Sequence, residues 1–402
     1  MRKIKILPWL MVCALILSSC QVPFVSDLVP DKEKYDAESY RSEYESRWQY
    51  QQLNDDEQRH YGYLYAAVQE TKDTDSYVQL DGKKQPGVRV ELPDAELDNE
   101  GITRLYEAFF TDNPQFFYLD RTYSMEGIQN LRGETRYNTL ILRYTSTAKQ
   151  RMEAEQELQA VVDDIMAQCP QSDDYDTERY LHDRVITRCT YDEYAAKHNS
   201  SAAPNAYTAY GALVEGKAVC EGYAKAMQLL LQKAAIPVTL ATGISKESGE
   251  SHMWNVVTIH GENYHLDATW DDNLDQPQYT FFNLTTEMVQ HSCIIDNPET
   301  LPPCTATADN PCVRNDTLID TYERQEIARK IAARIRAGDT TIQLRFTEGK
   351  LDNGLLFLKN QTLLNTMVNS QLSAMGSQLS MWDYDLWSDR DQQVLTIIKK
   401  NK

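Results

Sequence analysis

The stretch Gly211–Asp272 constrains the fold more than any other part of the 402-residue chain. It opens GALVEGKAVCEGYAKAMQLLLQKAAIP, in which Tyr223, Ala226, Met227, Leu230, Leu231 and Ala234 follow Cys220 at helical spacing. Pro237 closes that helix, and Gly216 and Lys217 suit the turn leading into it. Cys220 is therefore expected at or just inside a helix N-terminus, where free N–H groups and the macrodipole favour thiolate over thiol. Beyond the helix, PVTLAT (237–242) reads as a strand and Gly243–Ser251 as a polar loop. His252–Ile259 and Tyr264–Thr269 read as two strands joined by the turn His260-Gly261-Glu262-Asn263.

Register decides what this hairpin presents. With Gly261-Glu262 or His260-Gly261 as a two-residue turn, His252 pairs with residue 271 or 269. Either way His252 and Asp267 share one face, and in the tighter register they are diagonal neighbours roughly 7–8 Å apart. A three-residue loop would place them on opposite faces. The two-residue turns permit a nucleophile, a base and an orienting carboxylate, the generalised triad of acyl transfer. His265 is a rival base, but on one strand it competes with Asp267 for the same space.

The segments Cys220-Glu-Gly-Tyr-Ala, His252-Met-Trp-Asn and Tyr264-His-Leu-Asp267-Ala-Thr-Trp-Asp-Asp resemble three blocks of the bacterial transglutaminase-like superfamily, in order and at the right spacing. YLHDRVITRCTYD, ahead of them, is similar to the family's leading helix, so the resemblance covers roughly Asp176 to Asn283. It implies a papain-like thiol fold and a Cys-His-Asp triad at Cys220, His252 and Asp267. Members of this family include transglutaminases, peptidases and inactive forms. Trp254 is expected to shelter the triad or touch substrate, a role compatible with that of a core tryptophan.

Residues 1–20, MRKIKILPWLMVCALILSSC, combine a basic start, a short apolar run and small residues before a cysteine. That pattern reads as a secretory signal and not as a membrane span, because the run is too short. Leu17-Ser18-Ser19-Cys20 resembles the bacterial lipobox, which implies cleavage before Cys20 and acylation there. The expected protein is then extracytoplasmic and anchored to the cell membrane by lipid. Removing residues 1–19 takes away Arg2, Lys3 and Lys5 and moves the net charge from −20 to −23. Such an acidic surface argues against nucleic-acid partners. Peptides or proteins of the cell envelope are the expected substrates.

Eight cysteines are present. In an oxidising exterior Cys304 with Cys312, or Cys169 with Cys189, are candidate disulfides. No spacing of cysteine or histidine fits a structural zinc, and no cofactor or metal is expected. Asp271-Asp272 has too few oxygens for calcium and reads as an exposed loop or N-cap. His182 reads as a helix-packing or solvent-facing residue.

The fold class expected is α+β: a papain-like, transglutaminase-like core with an N-terminal α+β domain and a small C-terminal α+β domain. The boundaries read as signal peptide 1–19, tether 20–34, N-terminal domain 35–150, catalytic domain 151–290, linker loop 291–316 and C-terminal domain 317–402. In the N-terminal part, one helix is expected through Tyr40, Tyr44 and Trp48, and a second after the capping residues from Asn54. Ile102–Phe110 reads as a helix, and Tyr77–Leu80, Val88–Leu92, Phe116–Leu119 and Tyr137–Tyr144 read as strands. Its aromatic residues fit core packing better than glycan stacking. Thr147–Ala167 reads as a helix joining the two domains. In the C-terminal part, helices are expected at Leu318–Ala337 and Gln361–Met375, and strands at Thr340–Phe346, Trp382–Trp387 and Gln393–Ile398. Function is expected to be thiol-based acyl transfer or hydrolysis at peptide or carboxamide bonds. The alternative is a non-enzymatic surface module that binds protein or glycan on the same scaffold.

Overall fold

A computed structural model describes residues 35–80, 82–95, 97–170, 172–198, 203–272 and 278–400. The expected signal peptide, Cys20 and the tether lie outside the described residues. The chain divides into two compact units, Met1–Ala160 and Val161–Lys402.

In the first unit, β1 (Tyr77–Leu80), β2 (Lys83–Glu91), β3 (Leu119–Gln129) and β4 (Thr135–Tyr144) form a sheet in the order β1-β2-β4-β3. Helices α1 (Asp55–Thr71) and α2 (Asn99–Asp112) supply its core with Tyr61, Leu64, Tyr65, Leu105 and Phe109, all buried. Tyr61, Tyr65 and Phe109 are therefore packing residues. Helix α1 starts at a capping box: Asn54 accepts from the Glu57 backbone, and Glu57 accepts from the Asn54 backbone. The single helix expected through Tyr40, Tyr44 and Trp48 is broken into two short pieces, Glu38–Glu43 and Trp48–Gln51, because Arg47 is extended between them. Phe116 and Phe117 lie in turns, and the strand begins only at Leu119. Helix α3 (Ala148–Ala167) contains the point where the units divide.

In the second unit, α4 (Asp174–Arg188) is followed by β5 (Thr190–Tyr191) and β6 (Lys217–Ala218), which pair in parallel. Then come α5 (Cys220–Lys233), β7 (Val238–Ser245), β8 (Ser251–Ile259), β9 (Glu262–Leu266) and the single-turn helix α6 (Ala268–Asp271). After α7 (Thr286–Ser292), β10 (Cys293–Ile295) completes an antiparallel sheet ordered β10-β7-β8-β9. A stretch that reads as a linker thus contributes an edge strand. Gly222, in the first turn of α5, is where the chain packs too closely for a side chain: a Cβ there would stand 2.6 Å from the Ala206 carbonyl oxygen.

The remainder of this unit is β11 (Leu318–Ile319), α8 (Arg324–Ala337), β12 (Thr341–Phe346), α9 (Leu351–Lys359), α10 (Gln361–Ala374), β13 (Tyr384–Asp389) and β14 (Val394–Lys399). Leu318–Ile319 departs from the expected helix and pairs in parallel with β12. Arg345 on β12 reaches back to the Thr280 carbonyl at 2.7 Å, tying this part to the segment that follows α6. No helix among the described residues is long and apolar enough to cross a membrane.

Candidate active site

Cys220 is the first residue of α5, after an extended Val219 that offers no capping side chain. The Val219 side chain therefore makes no cap at the helix start, and the Gly222 N–H in the first turn bonds the Val219 carbonyl. Parallel pairing of Tyr191 with Ala218 sets β5 beside the approach to Cys220. Of the six described cysteines, all of them free thiols, Cys220 alone is not buried. Cys304 and Cys312 do not pair, and neither do Cys169 and Cys189. Their sulfurs turn to backbone carbonyls instead: Cys304 to Pro302, Cys312 to Gln343, Cys169 to Pro170 and Cys189 to Thr190. Burial pushes the Cys189, Cys293 and Cys304 thiols up to about 12, which keeps them protonated and unreactive.

The β8–β9 ladder closes at Ile259 with Glu262, so His260-Gly261 is the two-residue turn. Both turn residues have positive φ, 51° and 82°, as the tight turn between right-twisted strands requires. This is the tighter of the two registers, and it leaves His252 and Asp267 on one face. Strand β9 stops at Leu266, short of the expected Thr269, because Asp267 turns the chain into α6. Its Oδ1 accepts from the backbone N–H groups of Thr269 and Trp270 at 3.0 and 3.1 Å. Its Oδ2 lies 2.5 Å from His252 Nε2. One carboxylate thus caps a helix and holds an imidazole.

The Cys220 side chain lies close enough to the His252 ring to favour its charged form. With Nε2 engaged by Asp267, Nδ1 is the nitrogen left for sulfur. Burial works against charge on His252, but the Asp267 carboxylate and then the Cys220 contact outweigh it and raise the ring to about 10. The balance of these causes favours the imidazolium form of the base.

Two further residues complete the surroundings, and the sequence patterns assign neither of them to the site. Trp270 lies flat on His252, with ring centroids 4.1 Å apart and planes within 7°, an arrangement that favours the cationic ring. Its signal is the N-cap at Asp267, which sets Trp270 one turn ahead over the hairpin. Asp271, expected to be exposed, is fully buried and pairs with an equally buried His182 at 3.2 Å. Trp254 is 2% exposed and donates its indole N–H to His265 Nδ1 at 2.9 Å, so it stands behind the His252 ring within the core. His265 is itself pushed down to about 4 by burial and stays neutral, a partner for Trp254 and Thr286. No group of three or more acidic, histidine or cysteine side chains able to hold a metal occurs among the described residues.

The family model of the transglutaminase-like superfamily core matches residues 159–268, which include all three candidate residues. A solved structure of a TGase shares 17% identity at a TM-score of 0.28, covering 48% of this chain and 53% of the other. A candidate cysteine protease from Cytophaga hutchinsonii shares 16% identity at a TM-score of 0.23, covering 38% of this chain and 63% of the other. The match therefore spans less than two thirds of either neighbour. Among curated proteins no match is found. The chain is an α+β protein that carries a transglutaminase-like domain over residues 159–268.

Proposed function

We propose that this protein is a thiol acyltransferase or hydrolase acting on peptide or carboxamide bonds through Cys220, His252 and Asp267. The observation that carries the reading is the His252–Asp267 contact of 2.5 Å, beside a half-buried cysteine at a helix start. The Cys220 thiolate attacks the substrate carbonyl and forms the carbon–sulfur bond. The carbonyl oxygen takes the negative charge, and the Cys220 backbone N–H, free at the helix start, stabilises it. The His252 imidazolium then gives its Nδ1 proton to the departing amine or ammonia as the carbon–nitrogen bond breaks, which leaves a thioester. Water or a second amine attacks the thioester while His252 takes its proton back, and the thiolate is released. Asp267 holds the ring orientation throughout and stabilises its charge.

Incubating the protein with glutamine-containing envelope peptides and a labelled primary amine, and reading the masses, tests this directly. Incorporated amine identifies transamidation; cleavage or deamidation identifies hydrolysis. No change in any peptide sinks the enzymatic reading and favours the binding module.

The proposal includes an extracytoplasmic location with a lipid anchor at Cys20, supported by the Leu17-Ser18-Ser19-Cys20 pattern. Cys20→Ser is expected to shift the protein from the membrane fraction to the soluble fraction. Retention of the variant on membranes would refute the anchor.

A further inference from the structure

Helix α6 is a single turn, bounded by Asp267 at its N-cap and by Asp271 as its last residue. Each carboxylate meets a histidine from a different element: Asp267 meets His252 of β8 at 2.5 Å, and Asp271 meets His182 of α4 at 3.2 Å. Between them Trp270 lies on the His252 ring. A four-residue turn is too short to hold its own geometry, so groups outside it must fix its position. The Phe281 N–H donates to Asp271 Oδ1 at 2.9 Å, and the Asp267 N–H donates to the Phe281 carbonyl at 3.0 Å. On the other side the clamp is His182. It is fully buried against Phe282 and Tyr279, and its other ring nitrogen lies 3.2 Å from Asp183. A buried ion pair is a weak source of stability, because apolar side chains of the same volume serve a core as well or better. What the pair supplies is a fixed direction and distance.

We infer that His182 is a positioning residue for the reaction proposed above: through Asp271 it holds the α6 turn so that Asp267 and Trp270 stay registered on His252. The inference rests on the thiol-enzyme reading. It is consistent with the charge balance of the pair. Burial disfavours charge on His182, but Asp183 and Asp271 outweigh it and raise the ring to about 9. Burial raises Asp271 to about 6 against the pull of His182. The contact of the two favours the charged form of each against burial. A brace that served stability alone would leave the chemistry of Cys220 untouched below the melting temperature.

The test measures the rate at which iodoacetamide alkylates Cys220 in the full chain, resolved by peptide mass. It is read at a temperature where circular dichroism shows the native fold. His182→Gln is expected to slow alkylation about 10-fold or more, toward the rate of His252→Ala. Adding Asp271→Asn should restore the rate to within about 3-fold of wild type. The introduced amides can bond each other, and the asparagine oxygen still accepts from Phe281. If the single variant does not fold, Asp271→Glu keeps the charged pair but lengthens it by one methylene, and the same slowing is expected. Wild-type alkylation in a folded His182→Gln or Asp271→Glu protein overturns the inference. A wild-type Cys220 that reacts no faster than in His252→Ala refutes the thiol-enzyme reading itself, and the role of His182 falls with it.

Discussion

Replacing Cys220 with alanine is expected to reduce amine incorporation and peptide hydrolysis to background, a loss on the order of 10⁴-fold or more. No other described thiol can substitute. Cys169, Cys189, Cys293, Cys304 and Cys312 are buried, and burial drives three of them to about 12. Alanine keeps the helix start intact, because the N-cap position belongs to Val219 and uses no side chain. Melting temperature should therefore stay close to that of wild type while turnover disappears. Product masses from wild type and Cys220→Ala make the comparison, and residual turnover in the variant would place the nucleophile elsewhere.

Asp267→Asn is the second large effect, and it follows from the two tasks of one carboxylate. Wild-type Oδ1 accepts from Thr269 and Trp270 while Oδ2 holds His252 Nε2. An asparagine has one acceptor oxygen, and its amide nitrogen can only donate. If the oxygen keeps the cap, the amide opposes the imidazolium; if it turns to His252, the helix start loses its cap. Acyl transfer should fall about 100-fold or more in either orientation. Asp267→Ala loses both contacts and should also cost about 1 kcal/mol of stability through the missing cap. Initial rates and thermal unfolding of the two variants separate these contributions. Near-wild-type rates in Asp267→Asn would remove the carboxylate from the mechanism.

Local patterns in the amino-acid sequence make the core of the site legible. A cysteine ahead of a periodic apolar run specifies a helix start. Strand alternation about His260-Gly261 places His252 and Asp267 on one face once the turn is a two-residue one. Pairings between distant segments are not legible in this way. The contact of His182 with Asp271 joins residues 89 positions apart, and neither residue carries a local sign of it. Trp270 over His252 depends on Asp267 ending β9 and capping α6, a choice between strand and helix that alternation alone does not make. β10 and β11 are too short to show a period and are defined by the strands they join. In the first unit, an extended Arg47 overrides an aromatic spacing that otherwise suits one helix.

The most direct measurement is the rate of iodoacetamide modification at each of the six described cysteines, in native wild type and in His252→Ala, by mass spectrometry at neutral pH. The expected result is that Cys220 reacts first and far ahead of the buried thiols, and that it slows about 10-fold or more when His252 is removed. Equal and slow modification of Cys220 in both proteins would contradict the claim that His252 and Asp267 activate it.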